Sequence, residues 1–88
     1  MWKVRYSDSF IKQLAKFDKP IARRILDYMD SLQDLPDPRK RGKALSQNLR
    51  GYWRYRVGDY RVIAGIEDDA CLVLAIDAGH RSEVYKRR

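Results

Sequence analysis

Residues 50–61 read RGYWRYRVGDYR and gather four arginines and four aromatic residues about one glycine turn. A guanidinium is a planar fork of donors that matches phosphate oxygens two at a time, and an aromatic ring offers a platform for a nucleobase. If Gly58 and Asp59 form a two-residue hairpin turn, Val57 faces Tyr60, Arg56 faces Arg61, Tyr55 faces Val62 and Arg54 faces Ile63. Alternation then divides the hairpin into two unlike faces. Trp53, Tyr55, Val57, Tyr60, Val62 and Ala64 share one, suited to packing, whereas Tyr52, Arg54, Arg56, Arg61 and Ile63 share the other. Like charges placed directly opposite each other destabilise a sheet. A trio of arginines at these positions therefore points to a preorganised anion site, with Tyr52 as a stacking ring. The competing reading is that nearby carboxylates neutralise them on a solvated outer face, and Asp59, Glu67, Asp68 and Asp69 are the acidic residues closest in sequence.

A second group follows at DAGHRSEVYKRR, where Gly79 permits a sharp exit from a strand and His80, Arg81 and Tyr85 come next. His80 is the chain's one histidine. Its ordinary pKa suits proton transfer near neutrality, so it is a candidate acid or base as well as a candidate structural group. Tyr85 can serve the site or anchor the tail. Cys71 is the single cysteine, which excludes an internal disulfide, and its place in the run ACLVLAI suggests a buried, inert thiol. One Cys and one His do not make a zinc site, so no metal and no cofactor is expected.

The elements that must position these residues follow from periodicity. MWKVRY alternates Trp2, Val4 and Tyr6 with Lys3 and Arg5, a strand pattern. Ser7 and Asp8 provide cap chemistry, and Phe10, Ile11, Leu14 and Phe17 predict a first helix of roughly three turns. Asp18 followed by Pro20 starts a second helix whose stripe, Ile21, Ile25, Tyr28, Met29 and Leu32, ends near Gln33. The segment DLPDPRKRGKALSQN reads as a loop with room for one helical turn, and it carries Arg39, Lys40, Arg41 and Lys43. YWRYRV, YRVIAGI and CLVLAIDA then form a three-stranded meander. The expected fold is α+β, a four-stranded, mainly antiparallel sheet with the two N-terminal helices packed on one face, built as a single domain over residues 1–88.

Nineteen Lys and Arg against twelve Asp and Glu give a formal charge of +7, which favours a polyanionic partner. No apolar run approaches the ~20 residues that cross a bilayer, and the opening MWKVRYSDSF lacks the apolar segment of a signal peptide. These features predict a cytoplasmic protein with no membrane association.

LRGYWRYRVGDYRVI followed by AGHRSEVY resembles the RelE toxins of the RelE/ParE superfamily, the toxic halves of type II toxin-antitoxin pairs. The likeness covers nearly the whole chain, and Arg81 with the SEVY segment tilts it toward RelE over ParE. It implies a microbial RNase-like fold and a ribosome-dependent endoribonuclease that cleaves mRNA in the A site. The RNA's own 2′-hydroxyl would be the nucleophile, leaving a 2′,3′-cyclic phosphate without help from a metal. It also implies a cognate antitoxin, with the ribosome and mRNA as further partners. The family's catalytic positions fall on Arg54, Arg56, Arg61, Arg81 and Tyr85, and His80 becomes the candidate proton carrier. Arg39, Lys40, Arg41, Lys43, Arg50 and Tyr52 are the expected RNA contacts. The best-known RelE members carry lysines where this chain has Arg54 and Arg56, and arginine is a poor general base. Catalysis then relies on orientation and charge, or another residue moves the proton. Two other classes stay open: a ParE-like inhibitor of DNA gyrase with no chemistry of its own, and a passive RNA-binding module.

Overall fold

The computed structural model describes residues 1–80. Strand β1 (Lys3–Tyr6) leads into helices α1 (Asp8–Leu14) and α2 (Lys19–Ser31), followed by β2 (Lys43–Ala44), β3 (Tyr52–Val57), β4 (Tyr60–Glu67) and β5 (Leu72–His80). The sheet has five strands in the order β1-β5-β4-β3-β2. Four were expected; the fifth is the two-residue β2, which pairs antiparallel with β3 from inside the basic loop. β1 runs parallel to β5, and the other pairings are antiparallel.

Two elements are shorter or longer than their sequence patterns suggest. α1 has seven residues, about two turns. Ser7 caps it as expected, its hydroxyl accepting the Phe10 N–H at 3.1 Å. Phe17 lies beyond the helix, where it packs on Tyr60 with ring centroids 5.0 Å apart. Strand β5 continues through Gly79 to His80 instead of leaving the sheet at the glycine. α2 begins after Asp18 with Pro20 in its first turn, and a 3-10 turn at Leu32–Asp34 carries the chain onward.

The core lies between the helices and one face of the sheet. Phe10, Leu14, Ile25, Met29 and Leu32 bury against Val4, Tyr55, Val57, Val62, Ala64, Val73, Ala75 and Ala78. This is the hairpin face that alternation assigns to packing. Tyr55 is fully buried and satisfies its hydroxyl by donating to the Pro38 carbonyl at 3.0 Å, which pins the basic loop to the sheet. Cys71 sits half-buried in the turn before β5 at φ +48°, outside the strand that its apolar neighbours begin. No helix among the described residues is long and apolar enough to cross a membrane.

Candidate functional site

The face of the sheet turned away from the helices carries the basic residues. Every hairpin pairing read from the sequence is present: Val57 with Tyr60, Arg56 with Arg61, Tyr55 with Val62, Arg54 with Ile63. β2 extends the pattern, since Lys43 pairs with Arg54, and on the far side Ile63 pairs with Asp77 of β5. Directly paired residues project to the same face. One row across the sheet is therefore Lys43, Arg54, Ile63, Asp77, and the next is Arg56, Arg61, Gly79. Because Gly79 has no side chain, nothing on β5 crowds Arg61 from that position.

The electrostatics favour the anion-site reading. Among the described residues, Arg54, Arg56 and Arg61 form no salt bridge; those found belong to Arg39, with Asp37 at 3.3 Å and Asp68 at 2.6 Å. Arg54 Nε and Arg61 Nε and Nη1 are buried with no hydrogen-bond partner. Buried donors are ordinarily satisfied, and an unpaired charged donor is costly. A ligand rich in acceptor oxygens would complete them.

Beside this row lies a cleft of about 420 Å³, lined by Ser9, Gln13, Leu49, Tyr52, Ile63, Ile76 and Asp77. Its shape depends on a β-bulge. Ile63 pairs with Asp77, but Ala64 pairs with Ala75, so Ile76 is left over. The Ile76 carbonyl accepts the Ser9 hydroxyl at 2.5 Å and the Ser7 hydroxyl at 3.3 Å, which moors the start of α1 to the bulge. Bulges of this kind commonly re-aim side chains next to functional sites. The Tyr52 ring leans over Gly65, its nearest carbons 3.8 and 3.9 Å from where a β-carbon would stand.

The other expected site residues divide. His80 pairs with Tyr60, whose ring is 5.6 Å away in an edge-on arrangement, and so it projects to the helix side of the sheet, opposite the arginines. Arg39 is held by its two carboxylates, and the hydrogen bond to Asp68 holds its guanidinium even further above the ordinary range. Arg41 donates to Ser31 Oγ at 2.9 Å and lies 5.7 Å from the centre of the Tyr28 ring. These arginines fasten the loop. Lys40, Lys43 and Arg50 are exposed. The expectations placed on Arg81 and Tyr85 fall outside the described residues. No group of His, Cys, Asp and Glu suited to a metal ion occurs among those described.

Sequence reasoning did not single out Ser9, Gln13, Leu49 or Asp77. Asp77 could have been found by counting the β5 alternation back from Gly79. The bulge, which brings α1 to the cleft, has no sequence signal of its own.

Taken together, these observations define a small α+β protein with helices behind its sheet and an open, cationic face in front. The family described as "ParE toxin of type II toxin-antitoxin system, parDE" matches residues 4–85, and the chain belongs to the RelE/ParE superfamily of toxins. Toxin RelG of Mycobacterium tuberculosis is 28% identical over 87 residues, covering 98% of each chain. The toxin-antitoxin complex RelBE2 of the same organism contains a chain that superposes with a TM-score of 0.83 at 26% identity, covering 92% of each. The isolated RelE toxin of E. coli shares the fold, with a TM-score of 0.72 at 16% identity over 99% of this chain and 94% of that one.

Proposed function

We propose that this toxin is a ribosome-dependent endoribonuclease that cuts mRNA in the A site and arrests translation. The observation that carries the reading is the set of buried, partnerless guanidinium donors on Arg54 and Arg61. Their charge and geometry suit a phosphate whose oxygens gain negative charge during displacement. In the proposed step the ribose 2′-hydroxyl gives its proton to water and attacks the adjacent phosphorus. The bond to the 5′-oxygen breaks, that oxygen takes up a proton, and the products are a 2′,3′-cyclic phosphate and a 5′-hydroxyl. Arg54 and Arg61, with Arg56 beside them, stabilise the crowded phosphorane-like state; Arg81 neutralises further charge and Tyr85 orients the nucleotide. The step needs no metal ion or cofactor. His80 is left out of the catalytic set because its ring lies on the other face.

Lys40, Lys43 and Arg50 supply contacts to ribosomal RNA, and Tyr52 stacks on a base. The site of action is the cytoplasm. A cognate antitoxin would restrain the toxin, in keeping with similar chains found in toxin-antitoxin complexes.

The match to the ParE description favours a second reading, inhibition of DNA gyrase by binding. One experiment separates the two. Purified toxin is added to mRNA, free or positioned on ribosomes with an empty A site, and new 5′ ends are mapped by primer extension. Cuts in the A-site codon only on ribosomes support the nuclease. No cut, together with loss of gyrase supercoiling, supports the inhibitor.

A further inference from the structure

The two sides of strand β3 are unlike. Its open side carries Arg54 and Arg56, and its helix side carries Trp53 and Tyr55, packed with the core. Both of these aromatics donate to carbonyls of the basic loop, Tyr55 to Pro38 at 3.0 Å and the Trp53 indole N–H to Arg41 at 2.9 Å. The loop therefore runs along the helix side of the sheet as far as Arg41, whose guanidinium donates to Ser31 at the end of α2. One residue later it rounds the edge of β3. Gly42 makes that corner at φ +85°, with its backbone so close to the Trp53 indole and the Arg54 carbonyl oxygen that no β-carbon fits. Lys43 then pairs directly with Arg54, so its side chain emerges on the open side.

That placement is electrostatically unfavourable by itself. β2 has two residues, Lys43 and Ala44, both exposed, and it sets an ammonium opposite a guanidinium, a pairing that weakens a sheet. Among the described residues Lys43 forms no salt bridge. So short a strand is kept in register from its two ends. Before Gly42 the Trp53 indole holds the Arg41 carbonyl, and after Ala44 the Leu45 N–H donates to the Tyr52 carbonyl at 3.0 Å. An indole has a single donor, and Trp53 uses it here. Resting on the reading of the open face as an RNA site, we propose that Trp53 is a positioning residue for it: by holding the Arg41 carbonyl it sets the Lys43 ammonium beside Arg54 as a fourth cation, directed at an RNA phosphate. Lysine suits this place as a compact point charge on a flexible stem, which takes a phosphate oxygen without competing for the planar fork of Arg54. The back of β3 thus holds the loop that completes its front.

The test is binding, independent of cleavage. A single RNA strand with 2′-O-methyl groups lacks the nucleophile, and its affinity is measured from about 50 to 200 mM salt, where each phosphate contact contributes about 0.7 to the slope of log K against log salt. Lys43→Ala should lower the slope by about 0.7. Trp53→Phe keeps a packing ring, removes the N–H and should lower the slope by the same amount, and the double variant should lower it no further. Gly42→Ala breaks the same corner from the backbone side and should match Trp53→Phe, so the result does not hang on one variant that folds poorly. Ile25→Val, which trims the core, should leave the slope at the wild-type value, so a loss of stability alone does not imitate the effect. An unchanged slope in Lys43→Ala, an unchanged slope in Trp53→Phe, or losses that add in the double variant each overturn the positioning role. A wild-type protein whose affinity for the strand is independent of salt removes the RNA reading and this inference with it. The expected slopes together with no cut on ribosomes keep the positioning role and lose the nuclease.

Discussion

Arg56 and Arg61 stand directly opposite each other across the β3–β4 hairpin, two like charges at paired positions where a sheet prefers opposite ones. Arg61 is the more confined, with Nε and Nη1 buried and unpartnered. Held for folding alone, this pair is a defect. Replacing Arg61 with an apolar side chain of similar length removes both the repulsion and the unsatisfied donors. Arg61→Met should therefore raise the unfolding free energy by about 1 kcal/mol in urea titrations while abolishing A-site cleavage. A variant that is less stable and still cuts would make the arginine structural.

His80 shows where alternation decides a role. Its strand partner is Tyr60, and Tyr60 belongs to the packed face, against Phe17 and the core. His80→Ala should leave the pH dependence of cleavage unchanged between about pH 5 and 8, the window in which a histidine base would show itself. The loss should appear in stability, about 0.5–1.5 kcal/mol for an aromatic pair. A flattened pH–rate profile with normal stability would restore His80 as the proton carrier.

Gly42 holds Lys43 to the arginine row. It sits at φ +85°, and a β-carbon there would come within 2.4 Å of the Arg54 carbonyl oxygen and 2.9 Å of the Trp53 indole. Gly51 has a similarly positive φ of +95° but open space around it. Both substitutions to alanine incur the left-handed backbone strain, so their difference isolates the clash. Gly42→Ala should destabilise the protein more than Gly51→Ala and should speed amide exchange at Leu45, whose N–H donates to the Tyr52 carbonyl at 3.0 Å. Equal costs would mean that β2 moves aside freely.

Much of this face was legible because a two-residue glycine turn sets hairpin register, and register sets which side chains share a face. Arg54, Arg56 and Arg61 follow from that single inference. The rest depends on contacts distant in sequence. β2 is too short for any periodicity, and it forms because Gly42 lets the loop approach Arg54. Arg39 looked like a nucleic-acid contact because Asp68, which claims it, is 29 residues away. His80 drew attention as the one histidine, just past a strand whose pattern ends at Ala78; two residues of additional ladder put its ring on the opposite face.

Tyr6 and Tyr55 give the fold an alkaline limit. Burial raises the phenol pKa of each well above the ordinary value of 10.0; at Tyr6 the hydrogen bond to Asp30 at 2.6 Å adds to the effect, and at Tyr55 the nearby Tyr28 does. In the unfolded chain both phenols ionise near pH 10, while in the folded protein both stay protonated. A group with a raised folded pKa contributes stability that is complete below its unfolded pKa and is lost as pH climbs toward the folded value. The stability these two phenols contribute should thus be constant across neutral pH and be lost above about pH 10, where the unfolded state alone releases their protons. Tyr6→Phe removes one ionisable phenol and should reduce the slope of unfolding free energy against pH in that range, at the cost of the Asp30 hydrogen bond at neutral pH. Tyr55→Phe should do the same while freeing the Pro38 carbonyl and loosening the basic loop. Urea titrations at a series of pH values, with tyrosinate absorbance as the second probe, would read both effects, and an unchanged slope in the two variants would place the alkaline transition in other groups.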